Sequence, residues 1–475
     1  MRSSKLSLAP MMEYTDRHFR HMVRLISKNT LLYTEMVAAN ALSHERRDVM
    51  ERYVESNPGA GELEVRRNYD DTYLRRYLSQ GRMEPLEGPS VLQLGGSDPQ
   101  QLFEAARTVM DLTDRDGSGR VCDYTAVNLN CGCPSPKVAG KGCFGAALMD
   151  EPELVGELAR AIHDGCDGRL PVTVKCRIGT DSLSPFSMAQ QAGGEDRDYG
   201  RLCRFIETVA RDGVVTDFSV HARIAVLRKS FSPADNRKIP PLKYDFVRRL
   251  VRDYSPDLTF TLNGGVDTLS QVQSELGQCP GLTGVMIGRA WAADPWSFAM
   301  ADQILYGDNS VADGKPRNRL EIIREYGRHA DYEESVGDPT KIRRFIVKAC
   351  QPLFAGEPNA KRYRVALDEI AGRPKRLVAE GKSLDTEPPI SELIMAAATE
   401  HLSDETLLRT PEESYEQLAW EERRRKRVNG TTNNIAGGRS QQVSEWQSQR
   451  KQEEEEQRQQ LLSDKGVSST KNLYI

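Results

Sequence analysis

The stretch Ala126-Val-Asn-Leu-Asn-Cys-Gly-Cys-Pro-Ser135 places a short β-rich run directly before a polar, glycine-containing cluster. The same arrangement occurs eight times between residues 6 and 289, at long spacing. Besides Ala126–Leu129, the β-rich runs are Leu6–Ala9, Leu31–Glu35, Val91–Leu94, Val172–Lys175, Phe218–His221, Leu258–Leu262 and Val285–Gly288. This recurrence predicts eight short strands, each followed by polar or glycine-rich residues.

Segments with helical periodicity separate these runs. In Asp98–Asp111 the apolar residues recur at i, i+3 and i+4 spacing, and Pro152–Ile162 and Tyr244–Val251 look similar. Alternating strands and helices favour an α/β fold with a parallel sheet and helices outside it. Eight such units within about 300 residues fit a closed (β/α)8 TIM barrel better than an open sheet. We therefore expect an active site at the carboxyl-terminal mouth of the barrel.

The composition limits the class of protein. The chain has 475 residues, of which 38% are hydrophobic and 28% are charged, and its formal net charge is −4. These values exclude a collagenous or fully disordered chain, and no apolar run approaches the roughly 18 residues of a membrane span. Nine cysteines are too few for a disulfide scaffold, so we expect a reducing compartment. Because a β-rich run begins at Leu6, we expect no targeting segment and a cytoplasmic monomer, with the nucleus left open.

The pattern changes after the eighth β-rich run. We expect a barrel in residues 1–310, a small all-helical domain in residues 311–385 and a polar, disordered tail in residues 386–475. Residues 341–376 contain ten Lys or Arg and three acids, which indicates either a polyanion partner or a solvated helix face. The charged residues 46–70 are expected over the barrel mouth. The run Arg423–Arg427 is compatible with a nuclear address, an RNA contact or a solvated basic stretch.

Clusters after the seventh and eighth runs predict a phosphate site. Asn263-Gly264-Gly265 and Gly288-Arg289 lie where barrels commonly bind phosphate, because glycines let backbone N–H groups approach the oxygens and Arg289 adds a bidentate cation. An ordinary turn is the alternative for the Asn-Gly-Gly segment. Gln93 and Lys175 could face a planar cofactor. Gln93 can donate and accept hydrogen bonds at a pyrimidine-like edge, and Lys175 can offset negative charge on a reduced ring. Alternatively, Gln93 is only a polar strand-end residue and Lys175 pairs with an acid.

Cys133 is the candidate general acid, because a thiol in a loop at a strand end can hold and deliver a proton. A buried structural cysteine is the alternative. We assign that structural role to Cys131, which the strand pleat turns to the opposite side. Cys131, Cys133 and Cys143 lack the spacing of a metal site, so no metal is expected. The stretch Gly140-Lys-Gly-Cys-Phe-Gly145 matches a dinucleotide-binding pattern but begins about ten residues after its strand, which argues against that fold.

Seven segments carry a resemblance to a known family: Ala9–His18, Leu31–Met36, Leu92–Ser97, Asn128–Ser135, Val172–Ile178, His221–Arg223 and Asn263–Gly265. They are similar to segments of the tRNA-dihydrouridine synthases, and the A-type bacterial synthases are the group they resemble most. The segments Leu31–Met36, Gln93–Ser97 and Phe144–Met149 are specific to that group. The resemblance covers roughly residues 5–370.

The resemblance implies FMN as cofactor, NADPH as reductant and, as substrate, a uridine of the tRNA D-loop at positions 20 and 20a. The residues that match its FMN contacts are Pro10, Met11, Met12, Gln93, Lys175, His221, Asn263, Gly264, Gly265, Gly288 and Arg289. Cys133 matches the family's proton donor, which protonates C5 of uracil after hydride transfer to C6. The residues that match tRNA contacts are Asn130, Arg237, Lys361 and Arg364. Ala234 stands where the family often has a basic residue.

Two other functions remain open from the sequence. A flavin barrel that acts on a small metabolite explains the thiol and the phosphate site but not the basic helical segment. A non-catalytic tRNA-binding homologue explains the basic segment, but Cys133, Lys175 and His221 argue against it. The insertions at 46–70 and about 184–196 and the tail beyond residue 390 have no counterpart in the bacterial pattern and suggest a eukaryotic relative.

Overall fold

The computed structural model of the chain describes residues 4–81, 86–115, 122–135, 138, 144–181, 194–227, 231–308, 318–384 and 387–418. Eight parallel strands form a closed barrel and follow one another around it in sequence order. They are β1 (Leu6–Leu8), β2 (Leu31–Ala38), β3 (Ser90–Gly95), β4 (Ala126–Cys131), β5 (Val172–Arg177), β6 (Val215–His221), β7 (Thr259–Asn263) and β8 (Gly284–Ile287). The (β/α)8 barrel predicted from the sequence is confirmed.

Helices connect the strands. Those of the barrel region are α1 (Arg17–Ile26), α2 (Ala39–Ser56), α3 (Glu62–Asn68), α4 (Thr72–Leu78), α5 (Pro99–Arg115), α6 (Pro152–Gly165), α7 (Gly194–Ala210), α8 (Tyr244–Tyr254), α9 (Leu269–Gln278), α10 (Arg289–Ala293) and α11 (Ala301–Tyr306). After the barrel come α12 (Arg319–Val336), α13 (Pro339–Cys350), α14 (Ala360–Ala379), α15 (Ile390–His401) and α16 (Asp404–Leu408). Within the described ranges, no helix is both long and apolar enough to cross a membrane.

Closure of the barrel depends on the pairing of β1 with β8. Leu6 lies opposite Val285 and Leu8 lies opposite Ile287, and all four side chains are buried. Every residue of β3, β4 and β8 is buried as well. Strands of a parallel barrel are covered by helices on one face and by interior side chains on the other, which explains their nearly continuous apolar sequence.

Helix α1 holds the helical region against the barrel. It contacts both α12 and α13, and the guanidinium of Arg17 forms an ion pair with Glu333 at 2.7 Å. Beside this pair, His18 Nδ1 lies 3.1 Å from His329 Nε2, and the ring of His21 stacks on His329 with centroids 4.2 Å apart. Since α1 begins just after the loop of β1, this interface fixes the helical region beside the barrel mouth.

The helical part continues beyond residue 385. Helix α15 packs against α12 and α14 and buries Ile390 and Ile394, and residues 411–418 form one more helix. The indole N–H of Trp296 donates to Ser414 Oγ at 2.9 Å. The polar tail expected from residue 386 therefore differs from the structure, because a short apolar stripe docks this segment. Residues 419–475, including Arg423–Arg427, lie outside the described residues.

The charged segment 46–70 packs on the side of the barrel. Arg46 and Arg66 both contact the carboxylate of Asp111, at 2.9 and 2.7 Å. Asp111 lies toward the carboxyl-terminal end of α5, which is the end away from the mouth in a barrel of this type. The expected position over the mouth is therefore wrong, because this buried carboxylate draws both guanidinium groups to the flank. Of the second insertion, residues 184–193 lie outside the described residues.

Replacing Gly284 by Ala tests the tightness of the closure. A Cβ at this position would overlap the backbone carbonyl oxygen of Ser4, just before β1. We expect the free energy of unfolding in a urea titration to fall by about 1–3 kcal/mol. Gly277→Ala is the matched control, because a Cβ there, in α9, meets nothing within 4 Å and Ala gains up to about 1 kcal/mol in a helix. Wild-type stability of Gly284→Ala would contradict close packing at this seam.

Candidate active site

The carboxyl-terminal mouth of the barrel contains a cavity of ≈ 450 Å³. The predicted residues that line it are Pro10, Met11, Met12, Gln93, Asn130, Cys133, Lys175, His221, Arg237, Asn263, Gly264, Gly265, Gly288 and Arg289. Lys361 and Arg364 lie elsewhere, on the exposed face of α14. A second cavity of ≈ 430 Å³, with residues of α6, α7 and α8 in its wall, contains none of the predicted residues.

Strand register explains why these residues converge. Asn130 of β4 pairs with Lys175 of β5, Arg177 of β5 pairs with His221 of β6, and His221 pairs with Asn263 of β7. Each of them is at or near the carboxyl end of its strand. In a closed parallel barrel these ends meet around one opening, so residues far apart in sequence become neighbours.

Asn130 shapes the loop that carries Cys133. Its Oδ1 accepts hydrogen bonds from the backbone N–H groups of Gly132 at 3.0 Å and Cys133 at 3.1 Å. Its Nδ2 donates to Gln93 Oε1 at 2.9 Å. Cys133 is half-buried and lines the cavity, whereas Cys131 is fully buried and burial raises the pKa of its thiol well above the ordinary value. The two cysteines therefore have different surroundings, and only Cys133 of these two lines the cavity.

Lys175 is a cation held in the cavity wall. Its Nζ donates to Asn263 Oδ1 at 3.1 Å, and Asn263 Nδ2 donates to the carbonyl oxygen of Met286 at 2.8 Å. Burial, and to a smaller extent the charge of Arg177, lower the pKa of Lys175 to about 8. Within the described residues, no carboxylate forms an ion pair with Lys175, so the alternative role as a partner of an acid gains no support.

Two glycines leave room beside His221. Gly264 and Gly265 have φ angles of +108° and +76°, a conformation that side chains rarely adopt. A Cβ on Gly264 would lie 3.0 Å from His221 Nε2. Burial, with the charge of Arg177 as the next cause, holds the pKa of His221 well below its ordinary value, so the ring is neutral at pH 7. Its buried Nδ1 has no hydrogen-bond partner within the described part of the chain.

Arg177 is a site residue that the sequence did not single out. It donates to the carbonyl oxygens of Gly132 at 2.9 Å, Ile224 at 2.9 Å and Asn236 at 3.2 Å. Arg177 thus connects three segments: the loop of Cys133, the segment that follows β6, and the segment that contains Arg237. Burial lowers the pKa of Arg177 to about 9. The position of Arg177 in the polar cluster at the end of β5 is a sequence signal for a site residue. Its contacts with three loops depend on the register of neighbouring strands, which cannot be read from the sequence.

The electrostatics of the cavity favour an anionic ligand. The lining contains Lys175, Arg177, Arg237 and Arg289, against a single carboxylate, Asp267, among its described residues. Burial and the neighbouring charge of Arg289 lower the pKa of Arg237. Cations that repel one another in a partly dry cavity are stabilised by an anion placed between them. A phosphate-bearing ligand has the required charge.

The basic segment of the helical region divides into two groups. Arg343 and Arg373 form ion pairs, with Glu334 and Glu387, each at 2.6 Å. These pairs stabilise the packing of the helices rather than serve a partner. Lys361 and Arg364 are exposed on α14, so they belong to the group that can meet a polyanion.

The lowered pKa of Lys175 predicts a pH dependence of stability. Between about pH 8 and pH 10.5 the unfolded chain keeps a proton on this lysine that the folded protein has released. The free energy of unfolding should therefore rise with pH across this window, because the unfolded state binds more protons. In Lys175→Met the part of this rise that Lys175 contributes should be absent, so the pH profile should be flatter than that of the wild type, as measured by urea titrations of ligand-free protein at each pH. Lys361→Met is the control for loss of an exposed lysine, and parallel pH profiles for wild type and Lys175→Met would contradict the prediction.

Comparison with known proteins identifies the family. A sequence profile described as "Dihydrouridine synthase (Dus)" matches residues 7–386. A protein of Shewanella oneidensis named tRNA-dihydrouridine(20/20a) synthase is 37% identical over 365 residues, which cover 77% of this chain and 88% of that protein. Proteins of the same name from Synechocystis and Escherichia coli K12 are each 36% identical, over 365 and 370 residues. The matches cover 77% and 78% of this chain and 88% and 87% of the relatives, respectively.

These matches extend over the whole barrel and the basic helices behind it, and they agree with the A-type resemblance of the motifs around the cavity. The family profile alone covers well over half of the chain. This chain belongs to the dihydrouridine synthase family.

Proposed function

We propose that this protein reduces the C5=C6 bond of uridine at positions 20 and 20a of the tRNA D-loop, with FMN as cofactor and NADPH as reductant. The proposal rests mainly on one observation. The wall of the cavity at the barrel mouth contains both a half-buried thiol, Cys133, and a cluster of cations and glycines. The names of the relatives supply the substrate and its two positions. The cavity supplies groups suited to each part of that reaction.

The cavity fits the phosphate end of FMN. Gly264, Gly265 and Gly288 leave space that a Cβ would fill, since a Cβ on Gly288 would lie 3.0 Å from Met11 Sδ. Arg289 and His221 line the same cavity and add polar side chains to it. Backbone N–H groups at glycines and a guanidinium are the usual ligands of a phosphate.

Another part of the cavity wall suits a planar ring. Gln93, Asn130 and Lys175 lie there on adjacent strands. FMN, when bound, supplies the hydride chemistry between NADPH and the pyrimidine. Lys175 can offset negative charge on a nearby ring, and its half-buried position reduces screening by water. Gln93 and Asn130 provide amide groups for the carbonyls of a pyrimidine.

Cys133 holds the proton that uridine reduction needs. The C4 carbonyl polarises the C5=C6 bond of uracil, so hydride addition at C6 leaves negative charge that reaches C5. A thiol at the cavity wall is positioned to protonate C5, and Asn130 fixes the backbone of its loop through two hydrogen bonds. Arg177 also holds this loop, because its guanidinium donates to the carbonyl oxygen of Gly132.

The tRNA would bind across the mouth and the helical region. A base inside folded tRNA is inaccessible, so the uridine must be flipped out of its stack to enter the cavity. Arg237 lies at the cavity wall, and Lys361 and Arg364 lie on α14. Lys348 of α13 donates to the carbonyl oxygen of Glu13 and lies 5.2 Å from the ring of Tyr14, which joins the helical region to the rim. Phosphates along one face could thus reach cations of both parts.

The variant Cys133→Ala tests the proton step. Reduction of bound FMN by NADPH should stay normal, because the thiol acts on the uracil. Reoxidation of the reduced enzyme by unmodified tRNA should slow about 10²–10⁴-fold, the usual contribution of a general acid. The measurement is single-turnover reoxidation followed by flavin absorbance, with dihydrouridine determined in the product.

Cys131→Ala is the matched control, because its thiol is buried away from the cavity. An equal loss of rate in both variants would mean that the acid is wrongly assigned. Free uridine serves as a second substrate for the wild type. If free uridine is reduced as fast as tRNA, the protein is a flavin barrel for small metabolites.

The variants Lys361→Ala and Arg364→Ala test the tRNA surface. Each should weaken tRNA binding and reduce the slope of log Kd against log salt concentration by about one unit. NADPH oxidation should be unchanged, because both residues lie outside the cavity. Arg160→Ala, which removes an exposed arginine of α6 paired with Asp212, is the control and should leave the slope unchanged. Wild-type affinity and slope in either test variant would contradict this placement.

A further inference from the structure

Four polar side chains form a hydrogen-bonded chain in the barrel interior. Asn130 Nδ2 donates to Gln93 Oε1 at 2.9 Å, and Gln93 Nε2 donates to Asn128 Oδ1 at 2.8 Å. Asn128 Nδ2 in turn donates to Thr173 Oγ1 at 2.8 Å. Asn128 is fully buried, and neither it nor Thr173 lines the cavity. The chain therefore runs from the cavity wall into the closed centre of the barrel.

Only one orientation of the three amides satisfies every bond. The backbone N–H groups of Gly132 and Cys133 need an acceptor, so Asn130 must turn its oxygen toward them. Its nitrogen then faces the oxygen of Gln93, and the nitrogen of Gln93 faces the oxygen of Asn128. If Asn128 were reversed, each amide along the chain would reverse, and the nitrogen of Asn130 would face two N–H donors. Buried donors without acceptors are strongly unfavourable.

We propose that Asn128 is a positioning residue for the reaction. It accepts from Gln93 Nε2 and so holds Gln93 in the one orientation in which Gln93 Oε1 can accept from Asn130, whose own oxygen holds the Cys133 loop. In this hydrogen-bonded chain Asn128 does not contact the Cys133 loop directly. It acts on the loop through Gln93 and Asn130. Thr173, one strand further, anchors the chain because its hydroxyl oxygen accepts the amide of Asn128.

The chain also determines which groups face the cavity. Gln93 Nε2 and Asn130 Nδ2 each carry two hydrogens and use one of them inside the chain. Each nitrogen therefore keeps one N–H for a ligand carbonyl, such as those of a pyrimidine. A reversed chain would present amide oxygens there instead. This part rests on the proposed function, since it takes the ligand to be a pyrimidine.

Two substitutions at residue 128 separate orientation from packing. Asn128→Leu has a similar volume but removes the acceptor for Gln93. Asn128→Asp keeps an acceptor at that place, and the hydroxyl of Thr173 can donate to its second oxygen. If the role of Asn128 is only to fill space, the two variants differ in stability alone. If it orients the amides, Asn128→Asp keeps the site and Asn128→Leu loses it.

The first measurement uses FMN-free protein and needs no activity. Hydrogen exchange of the backbone amides of Gly132 and Cys133, followed by mass spectrometry, reports whether Asn130 still accepts from them. In Asn128→Leu we expect exchange of this peptide to accelerate about tenfold, the effect of losing a buried acceptor. Peptides of β6 and β7 should exchange as in wild type, and in Asn128→Asp the loop should also exchange as in wild type. Unchanged loop exchange in Asn128→Leu would overturn the proposal.

The second measurement is single-turnover reoxidation at saturating tRNA. We expect a rate about tenfold or more below wild type in Asn128→Leu, recovery in Asn128→Asp, and the same Kd for tRNA in both. Equal rates in the two variants would overturn the proposal. Should the wild type form no dihydrouridine at all, the proposed function fails, while the exchange data still decide the role of Asn128.

Substitutions at Thr173 provide a test if Asn128→Leu does not fold. Thr173→Val has the same shape but removes the hydroxyl that anchors Asn128, whereas Thr173→Ser keeps it. Loop exchange should accelerate in Thr173→Val and stay at the wild-type rate in Thr173→Ser. The same exchange rate in both variants would overturn the role of the chain.

Discussion

Parallel pairing of β1 with β8 is the constraint on which the rest of the molecule depends. Once Leu6 lies opposite Val285, the sheet has no edge and the eight carboxyl ends share one opening. Pro10 and Arg289, at opposite ends of the barrel sequence, then line the same cavity. The same closure places α1 beside the mouth, and α1 holds the helical region through Arg17 and the histidines around His329.

The cavity is built at a cost to stability. Lys175 is half-buried and Arg177 is buried, and neither forms an ion pair with a described carboxylate, so desolvation lowers the pKa of both. A barrel selected for stability alone would place apolar side chains there. An anionic ligand offsets this cost, and the uncharged amides of Gln93 and Asn130 fix the loops without adding charge. In the proposed function, the cations attract an anionic ligand and the amides hold the loops that face it.

Much of the fold and of the cavity could be predicted from the sequence, because the carboxyl ends of the strands in a closed parallel barrel meet at one opening. The alternation of β-rich runs with helical segments gave the barrel, and the cluster after each run gave most of the lining. Arg177 and Asn128 could not be assigned in this way, since their partners are set by cross-strand register. Helix α15 was missed because its apolar stripe is short, and the flank position of residues 46–70 depends on a single buried carboxylate, Asp111.

The most direct test of the proposed activity is a map of dihydrouridine across all tRNAs in cells that lack this protein. We expect dihydrouridine to disappear at positions 20 and 20a, to persist elsewhere in the D-loop, and to return when the wild-type gene is restored but not when the Cys133→Ala gene is restored. Dihydrouridine at unchanged levels at both positions in the deletion strain would contradict the assignment of this cavity to that reaction.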